Sequence, residues 1–153
     1  MIRLIEEVMS KKIIAEEVLY DLPEWFGIPE STREYIEDSV QMPFFAAFTE
    51  TGVAGFLTVK EHNSYTAEIH VMGIKKEYHR KGIGTELYNA CYAWCKNKGY
   101  EYLQVKTLDE SHPDVNYAIT RKYYFSMGFR PLECLPDLWG KENPCLIMVQ
   151  GIH

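Results

Sequence analysis

Between residues 65 and 108 the hydrophobic period changes twice, and this change restricts the possible folds more than any other feature of the chain. Tyr65, Ala67, Ile69 and Val71 alternate with Thr66, Glu68, His70 and Met72, the two-residue period of a strand whose faces differ chemically. Gly82 and Gly84 follow, and then Leu87, Cys91, Trp94 and Cys95 fall on one helical stripe. Lys96, Lys98 and Gly99 close that stripe as C-terminal charge and cap. Residues 100–108 are again rich in strand formers. Strand, glycine loop, helix and strand make a βαβ unit, whose two strands are expected to run parallel.

The rest of the chain fits around this unit. Ahead of Pro43 the pattern predicts two helices: one capped at Ser10 with Ile13, Ile14 and Val18 on one face, the other opened by a Ser31 to Glu34 capping box. The loop between them, residues 22–29, carries Trp25 and Phe26, which read as core cover or, alternatively, as ligand-facing aromatics. Residues 44–49, 53–60 and 65–74 predict three successive strands in an antiparallel meander. Gly73, inside the third, marks a bulge or a close backbone approach. A helix over 116–127 ended by Gly128, then strands over 129–135 and 144–150, complete an α+β fold. Its sheet is expected to be mixed and mostly antiparallel, with helices on both sides.

At 153 residues, 46% hydrophobic and 25% charged, the chain suits one folded domain rather than a disordered or repetitive polymer. Lys plus Arg total 16 against 22 for Asp plus Glu, a net charge of −6 that argues against nucleic acid; an acidic field would draw in cationic small molecules or basic peptides, and the same charge also fits solubility alone. Glu6, Glu7, Lys11 and Lys12 interrupt any secretory apolar region, and no apolar run is long enough to span a membrane. Four cysteines are then expected as reduced thiols in the cytoplasm. Nothing in the sequence fixes the oligomeric state, and a homodimer stays open.

Residues 78–85 join strand to helix, so loop amides and the helix dipole converge where an anion can sit, and Arg80 and Lys81 add positive charge. No Gly-Lys-Ser/Thr ends the loop, which excludes a Walker motif. Leu87 stands where a dinucleotide fingerprint needs its third glycine. A phosphate or pyrophosphate is the natural guest, and a plain strand-to-helix turn is the alternative.

The run His79-Arg80-Lys81-Gly82-Ile83-Gly84 resembles the Q/R-x-x-G-x-G/A hallmark of the GCN5-related N-acetyltransferases (GNAT), with His79 at the Q/R position. Tyr124-Phe125-Ser126-Met127-Gly128-Phe129 is similar to that family's Y-x-x-x-G-F. The resemblance spans about residues 44 to 129. It implies a GNAT-like sheet with a βαβ cofactor unit and transfer of an acetyl group from acetyl-CoA, a cosubstrate, to an amine. It also implies one domain over 1–153, with acceptor-side helices and loop in 1–42, an acetyl-CoA-binding core in 43–130 and closing strands in 131–153. By the same resemblance, the amides of Arg80, Lys81, Gly82, Ile83, Gly84 and Thr85 hold the pyrophosphate. The strand edge at Met72, Gly73 and Ile74 pairs with the pantetheine arm, with Gly73 at the bulge. His79 departs from Gln or Arg and leaves the amides as the main phosphate ligands. The family's asparagine near the start of the last helix aligns with Tyr117, so Asn116, one position early, is carried over as its nearest counterpart.

An alkyl ammonium with a pKa of about 10.4 must lose a proton before it attacks a thioester. Glu68 is the candidate base: it sits on the non-core face of its strand, eleven residues before His79, within an Ala67-Glu68-Ile69 similar to that of the family's histone-acetylating branch. His70 faces the same way as an alternative base or relay, and both also fit ordinary solvated strand positions. The departing thiolate needs a proton, and Tyr124 matches the family's tyrosine acid; its other reading is a core aromatic. Cys91 and Cys95, on the apolar helix stripe, fit neither a covalent acetyl-cysteine route nor a zinc site, so direct attack without a metal is expected. The acceptor is a small-molecule or peptide amine, shaped by the first 42 residues and by segments around His112 and Trp139, which carry no recognisable motif. A non-catalytic acyl-CoA sensor and a purely structural module are the competing readings.

Overall fold

The computed structural model describes all 153 residues, Met1 to His153. Its elements in chain order are β1 (Ile2–Ile5), α1 (Val8–Leu19), α2 (Pro29–Ser39), β2 (Phe44–Thr49), β3 (Gly52–Glu61), β4 (Thr66–Ile74), α3 (Ile83–Lys98), β5 (Tyr102–Leu108), α4 (Val115–Ser126), β6 (Arg130–Leu135) and β7 (Cys145–Gly151). A 3-10 turn at Lys76–Tyr78 precedes α3. The strands form one seven-stranded, mostly antiparallel open sheet in the order β1-β2-β3-β4-β5-β7-β6. The α+β class and the mixed sheet are as the sequence predicts. Strand β1 is not: its four residues, paired with β2 from Ile2 opposite Ala47 to Ile5 opposite Phe44, are too few to show a period in the sequence.

Two helix starts also differ. Glu7, not Ser10, precedes α1, and Ser10 lies within the helix with its hydroxyl donating to the Glu7 carboxylate at 3.1 Å. Pro29 opens α2, so Ser31 is an interior residue, and Thr32 instead donates to the carbonyls of Phe26 and Ile28 at 3.0 and 3.1 Å. Proline preset at the first helical position outcompetes the capping box two residues later.

Contacts divide the chain into two compact units. The first comprises Met1–Lys60 and Ile69–Trp94. In it the alternation of β2 sends side chains to two faces. Phe44 and Ala46 join Ile14, Ala15, Val18, Leu19 and Leu22 of the α1 region, Ile36 of α2, and Phe56 and Val71 in one buried cluster. Phe45, pointing the other way, meets the Trp94 ring of α3 edge-on, with centroids 6.1 Å apart. Helices therefore cover both faces. Phe44 and Phe56 stack at 4.9 Å, an arrangement that adds about 1 kcal/mol to the burial itself. Ile13, expected inward, is exposed, and the Lys11 stem is buried in its stead, its ammonium donating to the Met42 carbonyl at 2.8 Å. Trp25 and Phe26 pack against this cluster, the core-covering role.

The second unit comprises Glu61–Glu68 and Cys95–His153. Here β7 is flanked by β5, paired antiparallel from Tyr102 opposite Gly151 to Leu108 opposite Cys145, and by β6. Strand β6 is outermost, and its register with β7 shifts between Pro131 and Glu133. The Y-x-x-x-G-F motif ends α4 in a Schellman turn. The Phe129 N–H donates to the Tyr124 carbonyl and the Gly128 N–H to that of Phe125, both at 3.1 Å, with Gly128 at φ +102°.

Candidate active site

The glycine loop is built from two left-handed residues. Arg80 has φ +64° and Gly82 φ +80°, and a residue between two such turns of backbone leaves successive N–H groups pointing into one concavity, a form suited to anions. The first bond of α3 runs from the Glu86 N–H to the Gly82 carbonyl at 3.1 Å, so the positive end of the helix opens onto the loop. Arg80, Lys81, Gly82 and Thr85 are exposed, Gly84 is half-buried, and Ile83 is buried as an anchor. A Cβ added at Gly82 would touch nothing within 4 Å, so its glycine is required by conformation and not by space. Left-handed backbone at Arg80 and Gly82, two basic side chains and a helix start fit a pyrophosphate.

Neighbouring side chains hold this loop in place. The Tyr78 hydroxyl bonds the Thr51 hydroxyl at 2.6 Å and accepts from that of Thr49 at 3.3 Å, contacts that keep its pKa below the usual tyrosine value. His79 turns back to the end of β4, with Nε2 donating to the Ile74 carbonyl at 2.6 Å, and Trp25 stands edge-on to its ring at 5.7 Å. The Lys76 N–H donates to Asp21 at 2.8 Å, Lys76 pairs with Glu24 at 3.1 Å, and Lys75 pairs with Glu17. Met72, Gly73 and Ile74 lie just before the loop. Gly73 permits a close approach: a Cβ there would meet Val18 at 3.0 Å and Leu22 at 3.2 Å. On the adjacent strand, a Cβ at Gly55 would come within 2.6 Å of the Gly73 carbonyl oxygen.

Glu68 is not a solvated strand residue. It is 3% exposed, and its Oε1 accepts from His62 Nε2 at 2.6 Å and from Lys106 Nζ at 2.8 Å. Asn63 shapes the turn that carries His62, its side-chain oxygen accepting from the N–H groups of Tyr65 and Thr66 at 2.8 and 2.9 Å. The Cys145 thiol lies in the same neighbourhood; burial pushes it up to about 11, with the Glu68 charge adding to the shift and Lys106 opposing it. His70 pairs elsewhere, with Asp38 of α2 at 3.2 Å, and lies against the Tyr35 ring at 5.5 Å. Glu68 and His70 thus belong to separate histidine–carboxylate pairs.

In α4, Asp114 caps the helix by accepting from the N–H groups of Asn116 and Tyr117 at 2.8 and 3.1 Å. Tyr124 is half-buried three turns on, its ring edge-on to Phe129 at 5.7 Å and tilted against Tyr123 at 5.6 Å. The motif therefore fixes the tyrosine through both backbone and ring.

Sequence reasoning did not find the partners of Glu68. Lys106 follows buried Val105 and precedes buried Thr107, an alternation that marks it as a polar-face residue, but nothing local pairs it with a carboxylate 38 positions away. All four cysteines are free, and Cys91, Cys95 and Cys145 are buried. No group of three or more His, Cys, Asp or Glu side chains is arranged to hold a metal ion.

Comparison with known proteins bears on this site. A sequence profile of the acetyltransferase (GNAT) family matches residues 13–129. No curated protein sequence matches the chain at a significant level. Among solved structures, a GNAT-family protein from Desulfovibrio desulfuricans superposes with a TM-score of 0.83 at 15% identity, covering 100% of this chain and 99% of that one. An aminoglycoside 6'-N-acetyltransferase from Enterococcus faecium gives 0.75 at 17% identity, over 100% and 97% of the two chains. A GNAT family acetyltransferase from Elizabethkingia anophelis with acetyl-CoA bound gives 0.66 at 18% identity, over 77% and 82%.

Proposed function

Because the chain belongs to the GNAT family of acetyltransferases, we propose that it is an N-acetyltransferase that moves the acetyl group of acetyl-CoA directly onto a primary amine of a small molecule or a peptide. The observation that carries this reading is the pair of left-handed residues, Arg80 and Gly82, both exposed, at the start of α3. In this reading the amides of residues 80–85 bind the pyrophosphate, Arg80 and Lys81 add charge attraction, and the C-terminal end of β4 at Met72, Gly73 and Ile74 holds the pantetheine arm. Acetyl-CoA supplies an activated thioester carbonyl. Glu68, on the strand that leads to the loop, takes the proton of the acceptor ammonium, directly or through an ordered water. His70, held by Asp38, is the alternative base. Tyr124 donates a proton to the leaving sulfur, supported by the fixed position of its ring. Asn116, at the second position of α4, is retained as a cofactor contact.

The acceptor class rests on charge: a net −6 favours an ammonium over an anion or a nucleic acid. Four free cysteines suit a reducing cytoplasm, and no helix is long and apolar enough to cross a membrane. The test is release of free coenzyme A thiol from acetyl-CoA with a panel of amines, with the acetylated products identified by mass spectrometry. Turnover with at least one amine is expected. Tight acetyl-CoA binding without acetylation of any acceptor would establish the sensor reading in its place.

A further inference from the structure

A side chain at Arg80 makes the left-handed conformation costly, because its Cβ crowds the following carbonyl where glycine would not. Such a conformation persists only where its surroundings hold it. Those surroundings are on both sides of the residue. Upstream, Tyr78 is tied by its hydroxyl to Thr51 and Thr49. Between Tyr78 and Arg80, the His79 ring is bonded at 2.6 Å to the Ile74 carbonyl and packed edge-on against Trp25 at 5.7 Å. Downstream, Lys81 lies over the Tyr78 ring at 5.6 Å and leads to Gly82, which accepts φ +80° without cost. Of these contacts, that of His79 is nearest the strained bond and reaches the end of β4. Its ring hydrogen-bonds the end of the strand and so forms an internal tie.

We propose that His79 is a positioning residue: by bonding the Ile74 carbonyl it holds Arg80 in its left-handed conformation and thereby keeps the loop amides aimed at the pyrophosphate. This inference rests on the reading that residues 80–85 bind that group. The histidine, standing where the family's hallmark has Gln or Arg, works through the backbone.

The test is a double-mutant cycle read by calorimetric titration of coenzyme A, together with ligand-free crystal structures of the variants. His79→Ala alone is expected to weaken coenzyme A binding about tenfold, the size of one left-handed penalty for a residue with a side chain. Arg80→Gly removes that penalty along with one charge. In its background His79→Ala should cost less than about twofold, because glycine holds the conformation unaided. In the ligand-free His79→Ala structure the Arg80 φ should leave the left-handed region. Equal losses in both backgrounds, no loss in either, or an Arg80 that keeps its positive φ without the imidazole would each overturn the proposal. Absence of coenzyme A binding by the unaltered protein would instead strike the cofactor-site reading, and the proposal with it. The ligand-free geometry separates the two failures.

Discussion

The Glu68 carboxylate and the Lys106 ammonium lie 2.8 Å apart although they are 38 residues apart in sequence and the carboxylate is almost wholly withdrawn from water. A buried ion pair is weak evidence for stability, but removing only one partner strands a charge. Lys106 retains some exposure where Glu68 has almost none, so the two removals are unequal. Lys106→Met should destabilise the protein by about 3 kcal/mol, and Glu68→Gln by clearly less, since the freed lysine can turn to solvent. Urea denaturation of the two variants checks this; equal losses would contradict the asymmetry.

Glu68→Gln should lower kcat by about 10²- to 10⁴-fold, the usual worth of a general base, and flatten the rise of kcat/KM with pH. Acetyl-CoA affinity should not change, because the assigned cofactor residues lie elsewhere in the chain. Steady-state kinetics across pH, paired with calorimetry, separate the two effects. An unaltered pH profile would remove Glu68 from the base role and leave His70 as the candidate.

Tyr124→Phe keeps the ring that stands against Phe129 and deletes only the hydroxyl. Turnover should fall at least about tenfold while folding and cofactor affinity are preserved, as expected for loss of a proton donor alone. Activity equal to that of the unaltered protein would leave Tyr124 as a packing residue of the helix end.

Gly55→Ala and Gly73→Ala should differ in severity. At Gly73 the new methyl meets the ends of Val18 and Leu22 at 3.0 and 3.2 Å, which yield at about 1–3 kcal/mol. At Gly55 it meets backbone, the Gly73 carbonyl oxygen at 2.6 Å, and the sheet itself would have to move. Thermal melting should show a moderate drop for Gly73→Ala and a larger one, or failure to fold, for Gly55→Ala.

Alkaline unfolding provides a further check. Burial, aided by a hydrogen bond to Glu61, pushes Tyr100 up to about 12, and burial pushes Cys145 up to about 11. Both groups are acids that ionise later in the folded chain than in the unfolded one, so the folded state holds more protons and stability falls as pH rises. The loss should begin near the ordinary values, 9.0 for the thiol and 10.0 for the phenol, and be complete near 11 and 12. Denaturation midpoints between pH 8 and about 12 measure it, and Tyr100→Phe should remove the upper part of the decline.

Much of this was legible because periodicity and glycine are local signals. Strands β2, β3 and β4, the apolar stripe of α3 and the caps at Gly99 and Gly128 follow from alternation and from glycines that adopt φ +90° and +102°. The start of α2 differs from the pattern because the Ser31 box and the Pro29 start compete within two residues, and sequence alone does not weigh them. What surrounds the candidate site was less accessible. The bond of Glu68 to Lys106, the pairing of His70 with Asp38 and the contact of His79 with Trp25 each join positions at least 32 residues apart or cross from a helix loop to a strand end. Only the folded sheet brings them together. The Y-x-x-x-G-F motif lies between these cases: family likeness singles out Tyr124, and the helix-end hydrogen bonds show why tyrosine, glycine and phenylalanine keep that spacing.

The outermost strand, β6, carries Pro131, which has no N–H to offer, and a register slip at the next step. A margin broken in this way is a poor template for another chain's strand. Despite the bare Leu132 beside it, this margin of the sheet resists the addition of a strand from a neighbouring molecule.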